Sequence, residues 1–191
     1  MKNVSIMVVG VGGQGTLLTS RIIGKTALKA GFDVKLSEVH GMAQRGGSVV
    51  TFIRYGEKVC EPVVEEGDAD ILISFETEEA LRYSHYLKSG GAIIVNDCRI
   101  DPMTVVIGAA EYPENVVGRL KEKHEVHEVN GLKIAEELGN DKVLNIAVLG
   151  AAAKLIGFDK ELWLEVLKET VPQKTIEVNE KAFLAGCGEK I

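Results

Sequence analysis

Residues 8–21, VVGVGGQGTLLTSR, place a G-x-G-x-x-G pattern at Gly10, Gly12 and Gly15 between two runs of different hydrophobic period. Upstream, residues 4–9 (VSIMVV) are short, apolar and β-branched, as a buried strand requires. Downstream, residues 16–30 (TLLTSRIIGKTALKA) set Leu17, Leu18, Ile22, Ala27 and Leu28 at near-helical intervals, and Gly31 follows as a C-terminal stop. The glycines between them permit a tight turn and a close backbone approach. The helix that follows presents its free N–H groups to any anion placed before it. Strand, glycine turn and helix in that order confine the chain to an α/β arrangement.

The rest of the sequence continues the alternation. A second strand (VKLSEV, 34–39) leads into HGMAQRGG, after which SVVTFIRYG forms a third strand and turns at Gly56. Further short buried runs lie at 69–75 (ADILISF) and 92–95 (AIIV), separated by a helix over TEEALRYSHYL. Short apolar strands alternating with helices predict a three-layer α/β/α sandwich with a mostly parallel, Rossmann-like sheet. The second half is more helical. Asn130 caps a helix through Leu138, Asn145 stands near the start of an alanine-rich segment to Ile156, and Asp159 caps KELWLEVLKET, whose Leu162, Trp163 and Val166 read as core. No repeat or low-complexity linker interrupts the chain, so residues 1–191 read as a single domain.

Composition narrows the function classes. A domain of 191 residues buries roughly 70% of the surface its unfolded chain exposes, enough for one core. No apolar run approaches the ~20 residues of a membrane span, and Met1-Lys2-Asn3 enters a strand directly. A cytoplasmic protein is expected. The net charge of −6 argues against nucleic acid, whose phosphates call for clustered Lys and Arg. Cys60, Cys98 and Cys187 stand far apart, with no Cys/His cluster of metal-ligand spacing, so neither an iron–sulfur cluster nor a zinc ion is expected on this chain. His124 and His127, three apart in KEKHEVHE, lack a third ligand and read as solvated surface.

The glycine turn by itself leaves alternatives open. A dinucleotide site also wants an acid roughly 20 positions on, at the end of the second strand, to hold ribose hydroxyls. Glu38 stands near that place. Against this, Gly13 makes the turn G-x-G-G-Q-G, less encumbered than a dinucleotide fingerprint demands, and Glu38 opens straight into a second glycine-flanked loop. A free-standing NAD- or flavin-binding oxidoreductase using Gly10, Gly12, Gly15 and Glu38 is one reading. A turn that only packs helix against strand is another.

That second loop, SEVHGMAQRGGSV (37–49), holds His40, Met42, Gln44 and Arg45 between Gly41 and the pair Gly46-Gly47. Arg45 offers a five-donor fork suited to carboxylate or phosphate, and the His40 imidazole can donate or accept a hydrogen bond. Together, GVGGQG at 10–15 and EVHGMAQRGGSVV at 38–50 closely resemble the gamma-type domain of the 2-oxoacid:ferredoxin oxidoreductases, and the HGMAQRGG wording resembles their indolepyruvate branch. The likeness continues through EGDADILISFETEEALR (66–82), GGAIIVND (90–97), LGNDKVLNIAVLGA (138–151) and VPQKTIEVNEKAF (171–183), and so spans nearly the whole chain.

The resemblance implies a multi-subunit enzyme that oxidatively decarboxylates a 2-oxoacid on thiamine diphosphate, passes electrons through 4Fe-4S clusters to ferredoxin, and releases an acyl-CoA. A large partner subunit would carry the thiamine diphosphate, its Mg²⁺ and the clusters. This chain shows no G-D-G followed by a distant asparagine of the kind that binds that cofactor. The chain alone would be inert and would complete an active site begun by the partner. Substrate- or CoA-proximal positions are then Gly10, Gly12, Gly13, Gln14, Gly15, His40, Gly41, Met42, Gln44, Arg45, Gly46 and Gly47. Arg45 would pair with a substrate carboxylate or a CoA phosphate, Gln44 and His40 would hydrogen-bond, and the Gly12–Gly15 amides would receive an anionic group. Asn96-Asp97 reads as a turn at the same edge, and Lys174 and Asn179 as a helix start or a partner contact. A purely structural subunit is the remaining alternative. An isolated chain could also form a homodimer by covering its partner-facing surface with itself.

Overall fold

The computed structural model describes residues 3–41 and 46–189. In chain order the elements are β1 (Val4–Val11), α1 (Thr16–Lys29), β2 (Asp33–His40), β3 (Ser48–Gly56), β4 (Ala69–Ser74), α2 (Thr77–Tyr83), β5 (Leu87–Asn96), α3 (Met103–Val106) and α4 (Val116–Lys121), followed by β6 (Glu125–Val129), α5 (Gly131–Glu137), α6 (Leu144–Ile156), α7 (Lys160–Thr170) and α8 (Ile176–Gly186). The sheet order is β2-β3-β1-β4-β5-β6. β1, β4, β5 and β6 pair in parallel, whereas β3 runs antiparallel to both β1 and β2. The sheet is therefore mostly parallel, with one reversed strand inserted between the first two.

Successive strand residues face opposite layers, and the sequence fills both faces with apolar side chains. Ile6, Val8, Ile53, Ile71, Ile73 and Ile94 join the core shared with α1 and α5 to α8. Met7, Val9, Phe52, Leu72, Ile93 and Val95 join the opposite core, closed by α2 and α4. That is the three-layer sandwich the alternation predicts. The larger core is compacted by close helix contact: a Cβ on Gly186 of α8 would lie 1.9 Å from the Ala147 carbonyl of α6.

Local departures have physical reasons. The helix expected over TEEALRYSHYL stops at Tyr83 and tightens into a 3-10 turn at Ser84–Tyr86, because Leu87 already opens β5. KEKHEVHE supplies β6, an edge strand whose His127 meets the Glu125 carboxylate at 2.8 Å. Charged side chains of this kind blunt a sheet edge against pairing with another chain. Asn130 caps α5 by accepting from the Lys133 N–H at 2.9 Å, whereas the Asp159 side chain makes no cap bond to α7, its carbonyl instead accepting from the Trp163 N–H at 3.2 Å. No helix among the described residues is long and apolar enough to cross a membrane.

Candidate functional site at the carboxyl edge of the sheet

The carboxyl ends of the parallel strands are where open α/β sheets gather ligands, and there the two glycine segments meet. β1 ends at Val11 and the chain reverses through Gly12–Gly15 into α1. Gly13 and Gly15 have φ of 103° and 86°, backbone angles that a side chain disfavours. The Gly12 N–H donates to the Gly47 carbonyl at 2.8 Å, tying the first turn to the end of the second loop. Beside it the β1–β3 register sets Val11 opposite Ser48. Gly41 and Gly46 bound that loop, Gly46 with φ 79°. Met42, Gln44 and Arg45 lie outside the described residues.

A pocket of about 420 Å³ opens at this junction, lined by Gly12, Gly13, Gly15, Thr16, Leu17, Glu38, His40 and Val49. The N–H groups of Thr16 and Leu17, in the first turn of α1, have no intrahelical acceptor and stand at the positive end of the helix dipole. Asn145 reaches this point from the first turn of α6. A Cβ on Gly15 would fall 2.5 Å from Asn145 Nδ2, so the glycine makes room for this amide. Asn145 is only 6% exposed, and its Oδ1 has no hydrogen-bond partner among the described residues. At the opposite wall His40 Nδ1 lies 3.0 Å from the Gly41 carbonyl, and Glu38 accepts from the Thr51 hydroxyl at 3.3 Å. The pocket therefore offers backbone donors at one end and a carboxylate with an imidazole at the other.

The same geometry bears on the dinucleotide reading. In that arrangement the strand carrying the acid lies beside the strand that feeds the glycine turn. Here β3 intervenes, which sets β2 and Glu38 two strand spacings, roughly 9.5 Å, from β1. Gln14 is also committed elsewhere. Its Oε1 accepts from the Val11 N–H at 2.7 Å and its Nε2 donates to the Phe75 carbonyl at 3.1 Å, lacing the end of β1 to the exit of β4. Gly10 lies directly beneath, where a Cβ would meet Gln14 Oε1 at 2.8 Å.

A buried acidic cluster supports the other side of the loop. Glu76, 1% exposed, caps α2 by accepting from the Glu79 N–H at 2.9 Å; it also accepts from the Ile100 N–H at 3.2 Å and from the Tyr112 hydroxyl. Burial, reinforced by that bond to Glu76, pushes the Tyr112 phenol up, and the same oxygen accepts from the Glu78 N–H at 3.1 Å. Glu79 accepts from the Ser48 hydroxyl and from Arg82 Nε at 3.0 Å. Its carboxyl is raised above its ordinary value by burial, against the pull of Ser48 and Arg82. Glu76, Glu79, Ser48, Gly46, Ile100 and Pro102 share a second hollow of about 190 Å³.

Several residues weighed in the sequence serve the fold. Asn96, wholly buried, donates to the Phe75 carbonyl at 3.2 Å and accepts from the Gly131 N–H at 3.0 Å, stitching β4, β5 and α5 together. Asn179 bonds back to the Thr175 carbonyl at 2.7 Å, and Lys174 lies in an exposed 3-10 turn. His124 and His127 belong to no group of three potential metal ligands among the described residues. From sequence Asn145 reads only as standing near a helix start, and Glu76, Glu79 and Tyr112 carry no site role. Glutamate is not a favoured N-cap residue, so Glu76-x-x-Glu79 leaves no capping signal, and Asn145 and Tyr112 reach the site only through tertiary packing.

Comparison with known proteins agrees with this architecture. Residues 5–189 match the model of the pyruvate ferredoxin/flavodoxin oxidoreductase family. An indolepyruvate oxidoreductase subunit IorB from Thermococcus kodakarensis is 42% identical over 97% of this chain and 95% of its own length. The subunit of the same name from Archaeoglobus fulgidus is 41% identical over 98% and 95%. Among solved structures, a keto/oxoacid ferredoxin oxidoreductase gamma subunit from Geobacter sulfurreducens superposes with a TM-score of 0.71 at 26% identity, covering 96% of this chain and 95% of that one. By its sequence over nearly its whole length and by its fold, the chain belongs to the pyruvate ferredoxin/flavodoxin oxidoreductase family.

Proposed function

We propose that this chain is the small subunit of an indolepyruvate- or arylpyruvate-type 2-oxoacid:ferredoxin oxidoreductase, and that its two glycine loops complete an active site begun on a large partner subunit. The observation that carries the reading is the Gly12–Gly47 hydrogen bond, which joins both motifs at one pocket on the carboxyl edge of the sheet. The relatives named for indolepyruvate match this chain over nearly its full length and support the branch.

In this proposal thiamine diphosphate, Mg²⁺ and the 4Fe-4S clusters reside on the large subunit, and ferredoxin takes electrons from the complex. Cys60, Cys98 and Cys187 are free and lie on separate parts of the fold, and no described His, Cys, Asp or Glu residues group as a metal site. The chain's own part is binding and positioning. The N–H groups at the start of α1, with the Asn145 amide beside Gly15, receive an anionic group of the 2-oxoacid or of CoA. Glu38 and His40 meet hydroxyl or amide groups of the same ligand at the opposite wall. Arg45 pairs with a carboxylate or phosphate in the manner of a guanidinium fork, and Gln44 hydrogen-bonds beside it. The exposed apolar segment around α3, where Met103 is 71% and Ile107 69% exposed, lies on the same edge and supplies surface for the large subunit to cover. The isolated chain pairs with itself through that surface. Alone, the chain does not turn over.

The test is anaerobic reconstitution with the large, cluster-bearing subunit, following CoA-dependent reduction of ferredoxin on adding indolepyruvate. Activity is expected only when both chains are present. Full activity of the large subunit alone would overturn the proposal. In the assembled enzyme, Arg45→Ala is expected to raise the KM for the 2-oxoacid or for CoA; unchanged KM values for both would remove Arg45 from the site. Loop variants that assemble normally and keep full activity would leave a purely structural subunit.

A further inference from the structure

The two edges of the sheet are built differently. β6, five residues long, carries Glu125, His127 and Glu128, and Lys121 reaches across to Glu128. β2 runs for eight residues, roughly 27 Å, with no proline, no glycine and no shift of register against β3. Its one lysine, Lys35, is bound by Asp33 at 2.7 Å, so the charge that would guard this edge is neutralised within the strand. Leu36 and Val39 are exposed along it.

One hydrogen bond fixes which way each backbone group of β2 points. The Gly12 N–H donates to the Gly47 carbonyl at 2.8 Å, and this pair continues the β1–β3 register beyond Val11 and Ser48. Hydrogen-bonded pairs alternate along an antiparallel ladder. Gly10–Val49, Val8–Thr51 and Ile6–Ile53 are therefore bonded pairs, and Val50, Phe52 and Arg54 turn their N–H and C=O groups toward β2. There they meet Val39, Ser37 and Lys35. Val34, Leu36, Glu38 and His40 consequently point their backbone groups away from the sheet. The Val34 N–H lies by the Asp33 carboxylate. The outward N–H and C=O groups of Leu36, Glu38 and His40 make no hydrogen bond among the described residues.

A second copy of this chain fits the edge poorly. Only registers that set even-numbered residues against even-numbered ones bring donors to acceptors. A two-fold axis at Leu36, Ser37 or Glu38 then sets the Glu38 carboxylate against Val34, Leu36 or another Glu38, and Lys35 cannot answer it from the other face of the strand. The edge runs instead into the pocket at the glycine turn, where Glu38 and His40 form one wall. A chain that completes that pocket stands at the end of the free strand.

We propose that an extended segment of the large partner subunit adds to β2 as a seventh strand, bonded to the backbone groups of Leu36, Glu38 and His40. This rests on the reading of the chain as a small subunit and goes beyond it by fixing where the partner's backbone binds. Strand addition draws its affinity from main-chain hydrogen bonds. It also steadies Glu38 and His40 at the pocket wall.

Residue-resolved hydrogen–deuterium exchange of the full chain, alone and with the large subunit, reads the edge directly. Alone, the Lys35, Ser37 and Val39 amides are expected to exchange slowly and those of Leu36, Glu38 and His40 rapidly; in the complex the latter three are expected to slow by about tenfold or more. Leu36→Pro removes an outward N–H, which an edge strand tolerates. It is expected to keep the parent's circular dichroism spectrum and to bind the large subunit about tenfold more weakly, whereas Ser37→Pro, which loses a bond to β3, should unfold at lower temperature. The exchange measurement on the parent chain decides the matter even where Leu36→Pro fails to fold. A complex that reduces ferredoxin while the Leu36, Glu38 and His40 amides exchange as in the isolated chain, or a folded Leu36→Pro chain that binds as the parent does, would overturn the strand addition and leave the small-subunit reading standing. Concentration-dependent protection of the same amides in the isolated chain would assign the edge to a second copy and overturn it too. Failure of the two chains to associate would overturn both readings.

Discussion

Replacing Gln14 with alanine separates a structural role from a ligand-binding one. The side-chain amide holds the Val11 N–H at 2.7 Å and the Phe75 carbonyl at 3.1 Å. Removing it strands the Val11 donor, whereas the Phe75 carbonyl keeps the Asn96 amide at 3.2 Å. A group left unpaired costs about 1–3 kcal/mol. The Val11 bond is only partly buried, so the lower bound of about 1 kcal/mol applies. For a chain of this length 1 kcal/mol moves Tm by roughly 2–4 °C, which is the expected fall. Thermal unfolding followed by circular dichroism measures it. Gln14→Glu keeps an acceptor for Val11 but sets its second carboxylate oxygen against the Phe75 carbonyl, and is expected to fall at least as far. If Gln14→Ala kept the parent Tm and instead changed the KM of the assembled enzyme, Gln14 would face the ligand and would not lace β1 to β4.

Three other perturbations probe the same geometry. Asn145→Ala removes an amide whose Oδ1 is already unpaired among the described residues, so Tm should change little, while loss of a bond to a charged ligand, about 1.5–3 kcal/mol, should raise the KM for the anionic ligand roughly 10- to 100-fold in the assembled enzyme. Glu79 has its carboxyl raised by burial, so its contribution to stability is full below its ordinary value of 4.5 and is lost as pH rises through the raised folded value. Glu79→Gln should therefore flatten that fall, and a Tm-against-pH profile parallel to the parent's would refute the assignment. Tyr112→Phe removes the hydroxyl that donates to Glu76 and accepts from the Glu78 N–H. It should cost about 1–2 kcal/mol and speed amide exchange in residues 99–111; unchanged exchange there would show that the segment is held by other contacts.

The fold was legible where one period dominated the sequence. VSIMVV, the helix after Gly15 and the runs at 69–75 and 92–95 all appear as elements, because each pattern agrees with what both layers bury. β6 was not legible: EVHEV is an exposed edge strand, so its side chains carry charge on both sides of the alternation. The reversal of β3 was not legible either, since an antiparallel strand buried on both faces reads like a parallel one. At the site, the glycines announced themselves through the backbone angles they permit. Asn145 and Tyr112 did not, because both reach the carboxyl edge from 97 or more residues beyond Gly15 and bring no local motif.

β3 is also what turns a common α/β start into a different site. Had β2 lain beside β1, the glycine turn would face the end of β2 directly, with Glu38 beside it. Instead the chain leaves β2 at His40, runs through residues 41–47 and re-enters antiparallel between the two strands. A reversed neighbour must begin where β1 ends, and the register makes Ser48 the partner of Val11. The second loop is thereby delivered onto the first turn, where the Gly12 N–H fixes it and Glu79 holds Ser48 from the other layer. The glycines at 13, 15 and 46 answer to backbone angles of 103°, 86° and 79°, since a Cβ on Gly13, Gly41 or Gly46 would meet nothing within 4 Å and among these glycines only Gly15 is crowded, by Asn145. The resulting pocket is lined by the glycine turn and the start of α1 together with Glu38 and His40 of β2 and Val49 of β3. Backbone N–H groups at the start of α1 are therefore the donors that the proposed anion-binding role calls on.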